Sequence, residues 1–237
     1  MVMKTAAGVE RADGDRPLEE PGFVEPRWPV ALAISGFIVI TLSLRIAEPH
    51  ATRLGPRWLI PIVEIGMLVL LMAADPTRVV ARRWWLRRAA LGLVLILACA
   101  VMFSTGKLID DLIRGTGDTQ TAGPLLASGA LVWLGNCLVF GLLYWMLDSG
   151  GPVARYRKEH PHPDFAFSQQ LSPELAPAGW LPQYVDYLIL GVTTSMAFSP
   201  TDVMPMRAWS KLMMAAQSMI SLIVVGLVIA RAVNVLK

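Results

Sequence analysis

Asp202 closes a six-residue stretch, Ala197-Phe198-Ser199-Pro200-Thr201-Asp202, that cannot stay helical, because Pro200 has no amide hydrogen and biases Ser199 toward extended backbone. A carboxylate at the end of such a stretch, between two apolar segments, has the chemistry to attract cations; its plainer use is to cap the helix that follows. Glu64 lies inside another apolar run, about 10 Å beyond Trp58 at a helical rise of 1.5 Å per residue. An acid there either carries protons or pairs with a cation such as Arg45 near the end of the preceding run. Gln217 and Ser221, four apart, share one face of the last apolar run, which also holds Gly226. They line a water path or hydrogen bond to a neighbouring helix. His160 and His162 have no cysteine or second histidine cluster near them in sequence, and read as a solvated loop pair.

The elements that position these groups follow from composition. The chain has 237 residues, 54% of them hydrophobic and 16% charged, with a mean hydropathy of +0.52. That is too apolar for a soluble domain of this size and predicts an all-α integral membrane protein. An α-helix needs about 20 apolar residues to cross the hydrocarbon core, and five runs are candidates: 29–47, 58–74, 89–105, 124–147 and 208–236. The fifth is long enough to tilt and project beyond the bilayer. Before it, residues 183–196 place Tyr184, Leu188 and Val192 on one stripe, with Pro182 just ahead and Asp186 in the first turn. This stretch is too short and polar to span, so the expectation is a re-entrant helix followed by a filter-like loop. A non-helical loop at membrane depth must be buried in protein or line a water-filled path, because lipid offers its backbone no partners.

The organisation expected is a polar, mobile segment at 1–28, a three-span region at 29–123 and a pore-like module at 124–237. The first 28 residues lack the early apolar stretch of a signal peptide. The connection 148–182 carries Gly150-Gly151 and several prolines and reads as a long irregular loop, with Phe165, Phe167 and Trp180 packing on protein or interface. Cys99 and Cys137 fall in predicted spans as small buried hydrophobes. There is no Gly-rich phosphate loop, nucleophile elbow or His-Glu metal helix, so no enzyme, cofactor or metal is expected, and nothing points to nucleic acid. Arg78, Arg82, Arg83, Arg87 and Arg88 surround Trp84 and Trp85 ahead of the third run, a basic aromatic segment suited to anionic lipid headgroups. A voltage sensor would instead repeat arginines every third residue within the run.

Residues 194–230 resemble, without a gap, the pore helix, filter and inner helix of potassium channels. Asp202-Val203-Met204-Pro205 stands where that family has its filter aspartate, two residues and a proline, and Trp209, Lys211, Leu212, Gly226-Leu227-Val228 and Ala230 match the bacterial two-span pattern. The family's Thr-Val-Gly-Tyr-Gly filter corresponds to Ala197, Phe198, Ser199, Pro200 and Thr201. Both glycines are absent, and with them the backbone freedom that lets carbonyls form a cage. The chain is also similar to a family of uncharacterised five-span bacterial membrane proteins through Asp75-Pro76 and the arginine-rich loop, the 133–144 span and the 196–203 loop.

The resemblance implies a tetrameric pore in the plasma membrane, conducting monovalent cations with weak selectivity among membrane lipids. Asp202 would form an acidic ring, Phe198 would narrow or gate the path, and Gln217, Ser221 and Gly226 would line the inner helix. A non-conducting scaffold with channel architecture and a proton-coupled transporter using Glu64 are the alternatives; the latter lacks an inverted repeat. Orientation holds a conflict. The positive-inside rule puts the 78–88 loop, and with five spans Asp202 too, in the cytoplasm, whereas potassium channels turn their filter outward. Either the 89–105 run does not cross fully, or a further crossing lies at 108–113, or the pore is inverted.

Overall fold

Long apolar runs without interior proline make this chain mostly helical in the computed structural model, which describes residues 28–47, 62, 65–66, 69, 84–116, 119–197 and 202–235. Helix α1, Trp28–Ala47, opens with Pro29, whose missing amide hydrogen costs nothing in a first turn. Helix α2 is Trp84–Arg114 and α3 is Ala122–Leu147. The mouth segment follows: α4 at Pro152–Tyr156, strand β1 at Phe165–Phe167 and α5 at Ser168–Leu171. Then come α6, Tyr184–Ala197, strand β2, Val203–Pro205, and α7, Ala208–Val235.

Three helices among the described residues are long and apolar enough to cross a membrane: Arg88–Arg114 within α2, Ala122–Gly150 and Ala208–Val235. Of the five expected spans, α1 has a shorter described apolar part, Trp28–Val39, and the 58–74 run lies outside the described residues except Ile62, Ile65, Gly66 and Val69, which are helical. Glu64 therefore lies outside them as well.

Helix α2 corrects the expected third run at both ends. At 31 residues it is about 46 Å long at 1.5 Å per residue, and the stretch 108–113 continues it instead of forming a separate crossing. Lys107 pairs with Asp111 and Arg114 with Asp110, both four residues apart, so the charges that lower local hydropathy support the helix. Gly115, at φ +66°, ends it in the left-handed region that glycine enters at least cost.

Two apolar clusters fix the direction of the helices. Val94, Leu97 and Val101 of α2 pack with Leu138, Leu142 and Met146 of α3 and with Val30, Ile34 and Phe37 of α1. Toward the other end, Leu108 and Leu112 of α2 pack with Leu125 and Val132 of α3 and Val224 of α7. Helices α2 and α3 are thus antiparallel, and α7 runs alongside α2. Cys137 is buried, but Cys99 sits on an exposed face of α2, against the expectation of burial.

The 148–182 connection is more ordered than its composition suggests. Strand β1 pairs antiparallel with β2 in the register Phe165↔Pro205, Ala166↔Met204 and Phe167↔Val203. This small ladder departs from the all-α expectation. Phe165 and Phe167 are buried, packing edge-on against Tyr144 and Trp209 and against Tyr187 and Trp180 respectively.

Candidate functional site

Residues 198–201 lie outside the described residues, so the surroundings of Phe198, Ser199, Pro200 and Thr201 are read from what flanks them. The leading flank is α6. Its start is fixed by Asp186, which accepts a hydrogen bond from the Gln183 backbone N–H at 2.7 Å, satisfying a donor that the first helical turn leaves unpaired. At 14 residues α6 is about 21 Å long, shorter than the roughly 30 Å hydrocarbon core. It lies against α3 where Gly141 and Gly191 bring the two backbones together.

The mouth is built around Asp148, which is fully buried. One of its carboxylate oxygens accepts from the backbone N–H groups of Asp164 (3.0 Å) and Phe165 (3.2 Å) and from the Ser149 hydroxyl (3.1 Å). The other accepts from the Tyr187 hydroxyl of α6 and lies 4.0 Å from Nη1 of Arg155. Arg155 donates to the Trp145 and Asp148 carbonyls at 2.7 and 3.0 Å, and its guanidinium sits 4.9 Å from the Tyr187 ring centroid. Asp164 accepts from the Ser149 N–H and pairs with Arg207 at the start of α7, while its carbonyl accepts from the Met206 N–H and the Ser210 hydroxyl. One buried carboxylate thereby ties together the end of α3, the mouth segment and α6, and a second extends the tie to α7. Charges this deep persist only when paired and hydrogen-bonded, which Asp148 is in full and Arg155 through Nη1, its Nη2 being buried without a hydrogen-bond partner.

A second cluster sits deeper. The Gln217 side chain accepts from the Tyr144 hydroxyl at 2.6 Å and donates to the Gly191 carbonyl at 2.7 Å and the Ser195 hydroxyl at 2.9 Å. Asn136 of α3 also donates to the Ser195 hydroxyl, at 3.5 Å. Ser221 donates to the Ser195 carbonyl at 2.6 Å, and Ser218 to the Thr194 carbonyl at 3.3 Å. Gln217 and Ser221, expected on a pore-lining face, instead point into their own chain, because α6 offers carbonyl partners on that side that lipid or an apolar path would not. Gln217→Leu should therefore lower stability by about 1–3 kcal/mol, the cost of leaving buried polar partners unmatched. Thermal melts in detergent read this, and an unchanged melting temperature would return Gln217 to a solvent-facing role.

Gly226, in contrast, is exposed on α7 with open space beside it. Ala197 is the exposed last residue of α6. Asp202 is exposed, and its carbonyl accepts from the Ser168 N–H at 3.1 Å, which carries the β1–β2 pairing one step further. Burial pushes the Asp186 carboxyl above the ordinary aspartate range, the backbone hydrogen bonds from Gln183 and from its own N–H oppose this, and the nearby charge of Asp202 adds to the rise. The two acids thus share one end of the module. His160 and His162 are exposed, and no group of three His, Cys, Asp or Glu suited to a metal occurs among the described residues. Asp148, Arg155, Asp164, Tyr187 and Arg207 were not singled out by the sequence; the only hint was an acid placed directly after a 26-residue apolar helix.

No protein-family model, curated protein or solved structure matches this chain. The functional reading rests on the geometry above.

Proposed function

We propose that this chain is one subunit of a tetrameric, weakly selective cation pore in the plasma membrane, with five spans, α6 as a re-entrant helix and 197–202 as the filter-like loop. The observation that carries this reading is the path of the chain around that loop. Helix α6 leaves the mouth cluster at Tyr187, is too short to cross, and is followed by β2, which is hydrogen-bonded to β1 at the same cluster. The chain enters and returns on one side, which is how a loop is held inside a bilayer without being exposed to lipid. Asp202 then stands at the mouth as a ring of four acids near Asp186, drawing in monovalent cations by field rather than by a carbonyl cage.

The assembly has a surface available. Helix α7 exposes Leu212, Met219, Leu222, Ile223 and Ile229, and a mainly apolar groove of about 480 Å³ along α7 is lined by Thr194, Pro205, Lys211, Met214, Ala215 and Ser218. The Thr194 hydroxyl is buried there without a hydrogen-bond partner. Neighbouring copies would cover this face. With Gln217 and Ser221 turned inward, the path beyond the loop is apolar at α7 and closes by dewetting until it is opened.

That apolar lining also favours a second reading, a non-conducting scaffold that keeps the architecture. A transporter built on Glu64 would rest on a residue that lies outside those described. Native mass spectrometry in lipid-preserving conditions, followed by flux in reconstituted vesicles, separates them. Four chains and a cation flux that falls on the order of tenfold in Asp202→Asn at low salt, and less at high salt, is the expected outcome. A stable monomer ends the pore reading; a tetramer without flux leaves the scaffold; flux indifferent to Asp202 removes the acidic ring.

A further inference from the structure

The side of the membrane that the mouth faces can be read from where the helices begin and end. Helix α2 is continuous from Trp84 to Arg114, so it crosses once and fully. Its first half shares an apolar cluster with the last turns of α3, through Val94 and Leu97 against Leu142 and Met146. Its second half meets the first half of α3, through Leu108 and Leu112 against Leu125 and Val132. Arg231, near the end of α7, donates to the Thr119 carbonyl at 3.0 Å in the connection between α2 and α3. The start of α2, the end of α3 and the start of α7 therefore lie at one end of the molecule, with Asp148, Asp164 and Arg207 between the last two.

That end is the basic one. Arg78, Arg82, Arg83 and Arg87 precede or open α2, Arg88 follows, and the mouth segment adds Arg157 and Lys158. At the opposite end α2 finishes with Arg114 and α7 with Arg231, two arginines against the five that precede or open α2. Lysine and arginine close to span ends in short loops set orientation, and they stay in the cytoplasm. In the sequence Trp84 and Trp85 stand among these arginines, the mixture of aromatic and basic residues that membrane interfaces favour.

Of the three ways out of the orientation conflict, an incomplete third crossing and a hidden one at 108–113 are both removed by the continuity of α2. We infer that the mouth, with its carboxylate cluster and Asp202, faces the cytoplasm, and that the basic segment at the start of α2 seats against the anionic lipids of the inner leaflet. The two-span pore module is thus inverted relative to the outward-facing filters it resembles. The inference holds whether or not the chain conducts.

Single cysteines test it in a Cys99→Ser background, in which Cys137 remains buried. Glu174→Cys reports the mouth and Asn234→Cys the far end of α7, both being exposed positions. In intact cells a membrane-impermeant maleimide should label Asn234→Cys and leave Glu174→Cys unlabelled until the membrane is permeabilised. Labelling of Glu174→Cys in intact cells overturns the inference. Should a cysteine variant fail to accumulate, alkaline phosphatase fused after Lys237 of the unaltered chain gives the same answer. Active phosphatase supports a cytoplasmic mouth, and a stable but inactive fusion overturns it. Flux plays no part in either readout, so failure here is distinguishable from failure of the pore reading.

Discussion

Asp148→Ala is expected to cost about 3–5 kcal/mol of stability, the range for breaking a buried ion pair by removing one partner. The carboxylate is fully buried and faces Arg155, which is itself only 8% exposed. Its loss leaves a guanidinium charge without its counter-ion, and the N–H groups of Asp164 and Phe165 and the Tyr187 hydroxyl without an acceptor. Each orphaned donor alone costs about 1–3 kcal/mol, but one rearrangement relieves several at once, so the costs do not add. A paired replacement, Asp148→Leu with Arg155→Met, should be much milder, because no lone charge stays buried. Melting of the purified protein in one detergent, followed by tryptophan fluorescence, reads both variants. If Asp148→Ala loses less than about 1 kcal/mol, the mouth is wetter than described and the cluster is no lock.

What the sequence made legible was set by the length of its apolar signals. The runs at 124–147 and 208–236 differ from Ala122–Leu147 and Ala208–Val235 by two residues or fewer at either end, and 183–196 is displaced by one residue from Tyr184–Ala197. The third run was cut short because Lys107, Asp110 and Asp111 lower hydropathy, although their spacing lets the helix continue. The β1–β2 ladder was not legible: two three-residue strands show no periodicity, and their pairing is decided 36 to 40 residues away in sequence, from Phe167↔Val203 to Phe165↔Pro205. The face that Gln217 and Ser221 occupy was open for a similar reason. Two polar residues four apart define a face, and only the presence of the Gly191 and Ser195 carbonyls across the interface decides which way it turns. Asp148 was invisible because its partners lie up to 39 residues off, at Tyr187.

The two clusters hold the residues on either side of 198–201. Ser195, two residues before Ala197, is held by Gln217 and Ser221 of α7, and Asp202 is held through its carbonyl by Ser168 and through β2 by β1. On the proposed pore reading, a loop without filter glycines takes its constraint from the protein outside it. That division makes sense of a polar investment at the mouth that a lipid-facing scaffold would not require: the side chains of Asp148 and Gln217 both act on α6, one at its first turns and one near its last.

Gly191→Ala should be the most damaging added methyl among the described glycines of the helices. A Cβ there would stand 2.8 Å from the Cys137 carbonyl oxygen and 3.3 Å from the Gly141 nitrogen, both backbone atoms of α3 that cannot swing aside. On the facing helix, a Cβ at Gly141 would meet the Leu188 Cα at 3.1 Å and the Tyr187 carbonyl oxygen at 3.3 Å. Helix α6 would have to lift away from α3, weakening the Tyr187–Asp148 bond above the crossing and the Gln217–Gly191 bond beside it. Overpacking of this kind costs about 1–3 kcal/mol. For a chain of this size that lowers the melting temperature by roughly 3–10 °C. Gly226→Ala is the control, since nothing lies within 4 Å of the added methyl, and it should be neutral or gain up to about 1 kcal/mol of helix propensity. Equal melting temperatures for the two variants would mean that α3 and α6 do not cross at these glycines. A lowered value for Gly191→Ala alone, with flux falling in parallel, would tie the pose of α6 to the loop that it carries.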